Sequence, residues 1–420
     1  MGKWILSRRT LLLSGFFGLL SAIPGFASVA PSLKLSREAG TNSLEFSGTS
    51  PSAGIGYLEY GKTLGVYESH TSSFPIGKRF TTTVTGLQSG TKYFFRLRYK
   101  LTGKSYLVTS AISVSTQSSK NTSLFAIQAD PHMDENSSAD VYNKTLDLIA
   151  NSGASFLIDL GDIFMVDKLA DKSEVNIRAR YELMKKYYER LKNVPLKIVL
   201  GNHDGELGYS LFNTKRYRAE YFPDQTGPVS YFAHSESDVL HIGLDPFTYT
   251  VATPKSDGWQ WTLGKAQYDW LTSTLKNSTE RHKFVYIHHL LVGDAQSRGG
   301  VHIANFNEWG GKNMDGTDGF AVMRPGWAKP IHQLLKENGV SIVFKGHDHL
   351  YVKEEMDGLI YQTLPQPSHP GDGTNSAIEY GYGAGKVIGG SGYLRVKTDS
   401  DKIQVDFVKF DGSIADSYLV

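Results

Sequence analysis

A short, largely apolar run at residues 156–160 is followed at once by Gly161 and Asp162. Such a run predicts a buried strand in the middle of a sheet, because a central strand is covered on both faces. The glycine lets the chain turn where the strand ends, and the aspartate then faces the crevice in which open α/β sheets bind ligands. Asp162 is therefore either a metal ligand or only a cap of the next segment, and the rest of the chain decides between the two.

The first thirty residues have the features of an export signal. Paired arginines, Arg8 and Arg9, precede an apolar stretch over residues 11–20 that is too short to span a bilayer comfortably. Small residues then allow signal cleavage after Ala27 or Ala30. The pattern resembles a twin-arginine signal, which exports folded proteins, with an ordinary secretory signal as the alternative. The sequence therefore predicts an exported bacterial protein, periplasmic or extracellular.

Composition excludes several kinds of site and partner. The chain has 420 residues and no cysteine, which excludes disulfides, thiolate metal sites, a cysteine nucleophile and a lipoprotein anchor. The formal charge of +2 becomes −1 once the three basic residues of the signal are removed. This near-neutral total gives no electrostatic reason to expect nucleic acid or an anionic membrane as a partner. After residue 30 no apolar run approaches the roughly eighteen residues of a membrane helix.

Residues 31–118 predict an all-β sandwich, because they break into short alternating runs separated by glycine and proline. The clearest strand places four apolar or aromatic side chains on one face: Tyr93, Phe95, Leu97 and Tyr99. The start of this strand resembles the tyrosine corner of fibronectin type III domains in the spacing of four residues: Leu87, Gly90, Thr91 and Tyr93. Two roles remain open for this fibronectin type III-like domain, ligand binding and packing against its neighbour.

From residue 121 onward, apolar strands alternate with amphipathic helices. Five of the strands end in residues that can bind a hard or borderline metal: Asp130 and His132, then Asp162, then Asn202, then His288, then His347 and His349. Carboxylate, imidazole and amide oxygen together suit Fe, Mn or Zn, whereas calcium prefers mostly oxygen. Five such strand ends in one chain favour a metal site over five separate caps.

The order of these motifs, D-x-H, G-D, G-N-H-D, H and G-H-x-H, resembles the calcineurin-like metallophosphoesterase family. The preceding fibronectin-like domain is similar to the architecture of purple acid phosphatases. The resemblance implies an α/β domain over residues 121–420, in which a two-sheet β-sandwich core is flanked by helices and two metal ions bind between the sheets.

The resemblance also implies a ligand set. One ion would be held by Asp130, His132 and His349, and the other by Asn202, His288 and His347, with Asp162 bridging both. At the fourth motif His288 and His289 compete, because alternation along a strand allows only one of them to face the site. The family register, with a proline two residues after the histidine, favours His288, although Leu290 stands at that position. His289 would then support a ligand or pack in the core.

The implied reaction is hydrolysis of a small phosphate monoester or diester. Two metal ions would bind the phosphoryl oxygens and activate a bridging hydroxide for in-line attack on phosphorus. His203 would stabilise the transition-state charge or protonate the leaving oxygen, and Asp204 would orient His203 or cap the next turn. A catalytically inactive surface binding protein of the same fold is the alternative, and a purely structural surface protein is a third.

One position departs from purple acid phosphatases, which have a metal-ligand tyrosine three residues after the bridging aspartate. Met165 stands there in this chain, and His132 can fill the coordination position, so we expect a colourless enzyme. Residues 293–326 predict a long loop after a ligand-bearing strand, where substrate walls are common. Candidates for substrate contact are His302, Asn305, Asn307, Trp309, Asp315, Asp318 and Tyr351. Surface or core positions are expected for the remaining histidines considered: His70, His234, His241, His282 and His332.

Overall fold

The structure is a computed structural model that describes most of the chain. The described residues are 30–36, 40, 43–88, 90–117, 122–133, 137–165, 168–205, 220–222, 230–251, 257–292, 298–399 and 402–420. Arg8, Arg9 and Ala27 of the expected export signal lie outside them. The chain divides into two compact units, and the division falls between residues 118 and 119.

The described part of the first unit forms two antiparallel sheets. Its strands are β1 Lys34–Leu35, β2 Ser43–Gly48, β3 Gly54–Gly61, β4 Ser69–His70, β5 Phe74–Ile76, β6 Phe80–Thr85, β7 Lys92–Leu101, β8 Leu107–Val108 and β9 Ile112–Ser115. One sheet has the order β1-β2-β6, and the other has the order β4-β3-β7-β8, with β5 beside β3 and β9 beside β7. The rings of Phe46 and Phe95 lie 4.6 Å apart in the shared core. This is the sandwich expected from the alternating runs.

Tyr93 ties the start of β7 to the connection that precedes it. The ring is buried, and its hydroxyl accepts the backbone N–H of Gln88 at 2.9 Å. A buried tyrosine that bonds to backbone a few residues upstream fixes the corner between two strands of a sandwich.

The second unit contains two larger sheets. Its strands are β10 Ser123–Gln128, β11 Leu157–Asp159, β12 Leu196–Ile198, β13 Phe232–Glu236, β14 Val239–Gly243, β15 His282–Ile287, β16 Ile342–Lys345, β17 Tyr351–Met356, β18 Leu359–Thr363, β19 Lys386–Ile388, β20 Gly392–Thr398, β21 Ile403–Lys409 and β22 Ile414–Leu419. The sheet orders are β12-β11-β10-β20-β21-β22 and β13-β14-β15-β16-β18-β17-β19. Strands β10, β11 and β12 run parallel, as do β14, β15, β16 and β18.

The second unit also contains the α-helices of the described chain. The α-helices are α1 Ala139–Asn151, α2 Glu174–Tyr188, α3 Asn202–Gly205, α4 Gly264–Asn277, α5 Asn307–Gly310, α6 Phe320–Met323 and α7 Ile331–Glu337. Short 3-10 turns occupy Glu189–Leu191, Gly258–Gln260, Val301–Asn305 and Thr374–Ser376. Helix α1 begins after Ser138, whose side chain accepts the backbone N–H of Val141 and so satisfies one of the free donors of the first turn. Among the described residues, no helix is both long and apolar enough to cross a bilayer.

Apolar side chains order these elements into four layers. Phe125 of β10 and Phe284 of β15 lie in one core shared by strands of both sheets, with their rings 5.9 Å apart. Helices α1 and α2 cover the outer face of the first sheet, and α4 and α7 cover the outer face of the second. The prediction of two central sheets flanked by helices agrees with this arrangement.

The prediction of a long loop at residues 293–326 is wrong in part. The described residues from 298 onward include three short helical turns, Val301–Asn305, α5 and α6. Trp309 is fully buried there, and its Nε1 donates to the hydroxyl of Tyr361 at 2.8 Å. A large indole gains more from burial than from exposure, which draws the segment onto the core.

Candidate metal centre

The candidate ligands all follow strand ends at one edge of the second unit. Asp130 comes two residues after β10, Asp162 three residues after β11, and His288 directly after β15. Asn202 opens α3, which follows β12, and His347 and His349 lie in the turn after β16. Parallel strands bring their carboxyl ends to the same edge of a sheet, so residues far apart in sequence converge here.

Asp130, His132 and His349 form one group that could hold a metal ion. The Nε2 atoms of the two histidines lie 3.1 Å apart, and both lie within 3.7 Å of Oδ1 of Asp130. Two ligands on one ion at about 2 Å are separated by about 3 Å, so this nitrogen pair suits a shared cation.

Asp162, His288 and His347 form a second group of the same kind. Oδ2 of Asp162 lies 3.2 Å from Nε2 of His288 and 3.7 Å from Nε2 of His132, which belongs to the first group. Oδ1 of Asn202 lies 3.0 Å from the same nitrogen of His288. Asp162 therefore lies between the two groups, and Asn202 lies beside the second.

Buried polar atoms without hydrogen-bond partners show that this donor set fits a cation. Oδ1 of Asp130 and Nε2 of His347 find no partner among the described residues, although both atoms are buried. A buried carboxylate oxygen or imidazole nitrogen is costly to leave unpaired. A positive ion in each group would satisfy these atoms, so the residues present fit the metals expected from the sequence.

The backbone at the centre adopts an unfavourable conformation. Five of the candidate ligands have φ in the left-handed region: 57° at Asp130, 44° at His132, 52° at Asp162, 72° at His347 and 59° at His349. Non-glycine residues seldom occupy this region, and each such residue costs about 1–3 kcal/mol that the surrounding structure must offset. Strain of this kind concentrates at functional sites.

Two glycines allow the strand-end loops to meet. Gly161 has a φ of 96°, and a Cβ on it would collide with backbone of the loop that carries Asn202. A Cβ on Gly201 would overlap the carboxylate of Asp162. Glycine is therefore required at these positions of the G-D and G-N-H-D motifs, because the two loops approach each other closely.

Burial and charge perturb the titrating groups at the centre. Burial raises the pKa of Asp130, but the imidazoles of His288 and His349 outweigh it, so the pKa lies below its ordinary value. Burial lowers the pKa of His288, but Asp162 and Asp130 raise it to about 10. The pKa of His347 is held well below its ordinary value by burial and by the charge of Arg298. The carboxylates are thus ionised and His347 is neutral, as metal ligands must be, whereas His288 would have to release its proton when a cation binds.

The structure places His203 beside the centre and Asp204 beneath it. The backbone N–H of His203 donates to Oδ1 of Asp162 at 2.8 Å, and its partly exposed ring lies 5.6 Å from that of His132. The carboxylate of buried Asp204 accepts the backbone N–H groups of Asp162 and Gly201 at 2.6 and 3.0 Å. Burial raises the pKa of Asp204 to about 7, and the charge of Asp162 adds to the rise. The expected bond from His203 to Asp204 stays a prediction.

His288 and His289 face different surroundings. Nδ1 of His288 lies 2.9 Å from the carbonyl oxygen of Leu160, which leaves Nε2 directed at the carboxylates. The ring of His289 instead packs against Trp261 at 4.7 Å and against His347 at the same distance. Burial holds the pKa of His289 at about 3. This geometry favours His288 as the ligand.

The sequence did not reveal the polar network around Asp348, which lies between His347 and His349. Oδ1 of Asp348 accepts a hydrogen bond from Nε of Arg298 at 2.9 Å, and Oδ2 accepts one from the hydroxyl of Tyr382 at 2.6 Å. Buried Lys345 lies 3.4 Å from the same Oδ2. The only signal in the sequence was the acid inside the G-H-D-H motif.

Three of the residues predicted to contact substrate are buried instead. Asn307, Trp309 and Tyr351 are at most 1% exposed, and the hydroxyl of Tyr351 donates to Asp416. Their polar atoms are directed into the core because the surrounding strands and turns enclose them. The other four candidates remain predictions: His302, Asn305, Asp315 and Asp318.

The histidines expected to lie in the core or on the surface do so. His241 and His332 bond to tyrosine hydroxyls, of Tyr286 and Tyr361. His282 contacts the carbonyl oxygen of Asp399, and His70 is exposed.

Comparisons with known proteins agree with this geometry. The family model for the calcineurin-like phosphoesterase domain matches residues 123–351. The chain is similar to a purple acid phosphatase from seeds of yellow lupin (Lupinus luteus), with a TM-score of 0.50 and 13% identity over 93% of this chain and 74% of that one. It is also similar to the structure of PhoD, with a TM-score of 0.50 and 12% identity over 95% of this chain and 90% of that one. No curated protein sequence matches the chain.

Proposed function

The chain belongs to the calcineurin-like phosphoesterase family, and from that premise we propose that it is an exported enzyme that hydrolyses small phosphate esters with two metal ions. Its family makes it a metal-dependent hydrolase of phosphoric ester bonds; the dinuclear centre and the export are the proposed parts. One observation carries the proposal: Asp162 lies between two groups that could each hold a metal.

The ligand assignment follows the two groups. One ion would be held by Asp130, His132 and His349, and the second by Asn202, His288 and His347, with Asp162 shared. When bound, Fe, Mn or Zn ions supply positive charge to the phosphoryl oxygens and acidify the attacking water. The strained, buried backbone holds these side chains in place before substrate arrives, which lowers the reorganisation needed for reaction.

His203 is the proposed acid that serves the leaving group. Its backbone is fixed by Asp162, while its side chain is 16% exposed and therefore within reach of a substrate. A protonated imidazole there can donate a proton to the departing oxygen or stabilise charge on phosphorus. Asp204 supports this arrangement by joining the backbone of the Asp162 loop to that of the Gly201 loop.

The first unit supports a purple-acid-phosphatase-like architecture. Its strand orders and the bond from Gln88 to Tyr93 favour a fibronectin type III-like domain. The centre itself differs, because Met165 cannot supply the phenolate whose charge transfer to iron gives colour. We therefore propose a colourless enzyme, whose purified, metal-loaded form shows no visible absorption band. The paired arginines at positions 8 and 9 support export through the twin-arginine route.

Metal analysis combined with hydrolysis of nitrophenyl phosphate and bis-nitrophenyl phosphate tests the proposal. We expect about two ions per chain and turnover of at least one ester. His203→Ala should keep the metals and lower kcat by about 10²–10⁴-fold, whereas His70→Ala, in the first unit, should change neither. A protein that binds no metal and is inert to both esters would instead be an inactive binding protein of the same fold.

A further inference from the structure

The nearly neutral net charge of residues 31–420 is the sum of a positive first part and a negative second part. Residues 31–118 contain ten Lys or Arg and four Asp or Glu, a net charge of +6. Residues 119–420 contain 31 Lys or Arg and 38 Asp or Glu, a net charge of −7. Positive charge is therefore concentrated in the first unit, where it favours an anionic partner.

Much of this positive charge lies on one face of a sheet. Strand β7 alternates between buried residues and residues on the opposite face, which carries four cations: Lys92, Arg96, Arg98 and Lys100. Glu59 of β3 contacts Arg96 at 2.7 Å and Arg98 at 3.4 Å, so one carboxylate serves two guanidinium groups. The face keeps an excess of positive charge.

Exposed apolar side chains gather at one end of the same sheet. Ile55 lies opposite Lys100 and is 45% exposed, and Val108 lies opposite Arg98 and is also 45% exposed. The ring of Tyr106 is 42% exposed and lies 5.8 Å from Nζ of Lys100.

Leu107, the other residue of β8, lies opposite the buried Tyr99 and therefore belongs to the other side of the sheet. Five residues thus form one mixed surface, called here the mixed face: Ile55, Arg98, Lys100, Tyr106 and Val108. Scattered apolar side chains are ordinary, but aliphatic, aromatic and cationic side chains side by side indicate an interaction site.

The combination of side chains selects the chemistry of the partner. Aliphatic Ile and Val gain nothing from the hydrated sugars of a polysaccharide or from a phosphate backbone. The boundary of a lipid bilayer offers acyl chains to aliphatic groups, an interfacial position to tyrosine, and head-group phosphates to Arg and Lys. We propose that the mixed face binds the surface of an anionic phospholipid bilayer.

Such binding is peripheral and reversible. The cations attract lipid phosphates that lie within a Debye length, so added salt weakens this attraction. The contribution of the apolar side chains is insensitive to salt. Both contributions are needed, because three shallow side chains alone bury too little surface for stable anchoring.

Co-sedimentation of the full mature chain with lipid vesicles tests the proposal. We expect binding to vesicles that contain roughly a third phosphatidylglycerol, little binding to pure phosphatidylcholine, and release by salt. Arg98→Gln with Lys100→Gln should weaken binding to the anionic vesicles by about tenfold or more, since each cation near the surface adds about fivefold. Ile55→Ser with Val108→Ser should weaken it as well, and the loss should persist at high salt.

A matched control removes the same charge elsewhere in the unit. Lys78 and Arg79 are exposed between β5 and β6, so Lys78→Gln with Arg79→Gln lowers the net charge equally without touching the mixed face. This control should bind almost as the wild type does. Circular dichroism and ester hydrolysis, both unchanged in every variant, exclude misfolding as the cause.

Three results would overturn the proposal. Equal loss in the Lys78/Arg79 control would mean that net charge alone attracts the protein. Salt-sensitive binding to an acidic polysaccharide, without binding to vesicles, would assign the face to a glycan. A dimer in light scattering that Val108→Ser dissociates would make the face an interface between two copies of the chain.

Discussion

The backbone N–H of His347 donates a hydrogen bond of 2.8 Å to Oδ2 of Asp130. The first and last of the candidate metal-binding motifs, 217 residues apart in sequence, are therefore joined directly. Oδ1 of the same carboxylate is buried and has no partner among the residues that the structure describes. One oxygen of Asp130 thus fixes the final turn, and the other is available for a metal.

These two tasks can be separated by substitution. Asp130→Asn keeps an oxygen that accepts the N–H of His347 but removes the negative charge, so it should weaken the binding of one ion by about 10²-fold while the fold is kept. Asp130→Ala should lose the same ion and also about 1–3 kcal/mol of the free energy of unfolding, because the buried N–H is left unpaired. Metal titration and urea unfolding of both variants check this. Equal unfolding free energies for the two variants would contradict the assigned hydrogen bond.

Asp162 should be the residue on which both ions depend. Its carboxylate lies between the two ligand groups, so Asp162→Ala should lower the metal content from about two ions per chain to nearly none. Asp171→Ala, in an exposed segment before α2, is the control and should keep both ions. Mass-spectrometric metal analysis after dialysis measures the difference. Full metal content in Asp162→Ala would refute the bridging role.

The position of the candidate ligands directly after strands is the feature of the centre that sequence alone could predict. Asp162 and Asp130 were identifiable because each follows a short apolar strand, and parallel strands must bring such ends together. Alternation along a strand permits only one of His288 and His289 to face the centre, and the register of the family motif favoured His288.

Other features depend on contacts that no local pattern encodes. The bond from Arg298 to Asp348 joins residues fifty positions apart, and the left-handed backbone at His347 exists only because the surrounding loops impose it. The burial of Trp309 was missed for a related reason. A glycine-rich, polar segment indicates a loop, but one large indole can hold part of it against the core.

Asp348 should act as a positioning residue for the turn that carries His347 and His349. Asp348→Asn removes the charge that pairs with Arg298 and Lys345, so the turn loosens and the apparent affinity for metal should fall by about 10–100-fold. Excess metal should then restore much of the activity, which a merely misfolded variant would not show. Asp357→Asn, at an exposed carboxylate that pairs with His332, serves as the control. Unchanged metal affinity in Asp348→Asn would rule out the positioning role.

His241 should make the protein less stable in mild acid. Its ring is buried beside Phe125 and Phe156, and burial, followed by the charges of His234 and Lys197, holds its pKa well below 6.5. Below pH 6.5 His241 therefore binds a proton in the unfolded chain but not in the folded chain. Stability is fully present above this pH and falls with pH below it, by up to about 1.4 kcal/mol per pH unit.

His241→Gln should remove this part of the pH dependence, because glutamine does not titrate. Urea unfolding at several pH values between about 7.5 and 5, with a chelator so that metal release does not contribute, gives the slope for each protein. The wild-type slope should exceed the variant slope, while His70→Gln, an exposed ring in the first unit, should match the wild type. Parallel slopes for wild type and His241→Gln would show that His241 is protonated in the folded state, which its burial among aromatic rings opposes.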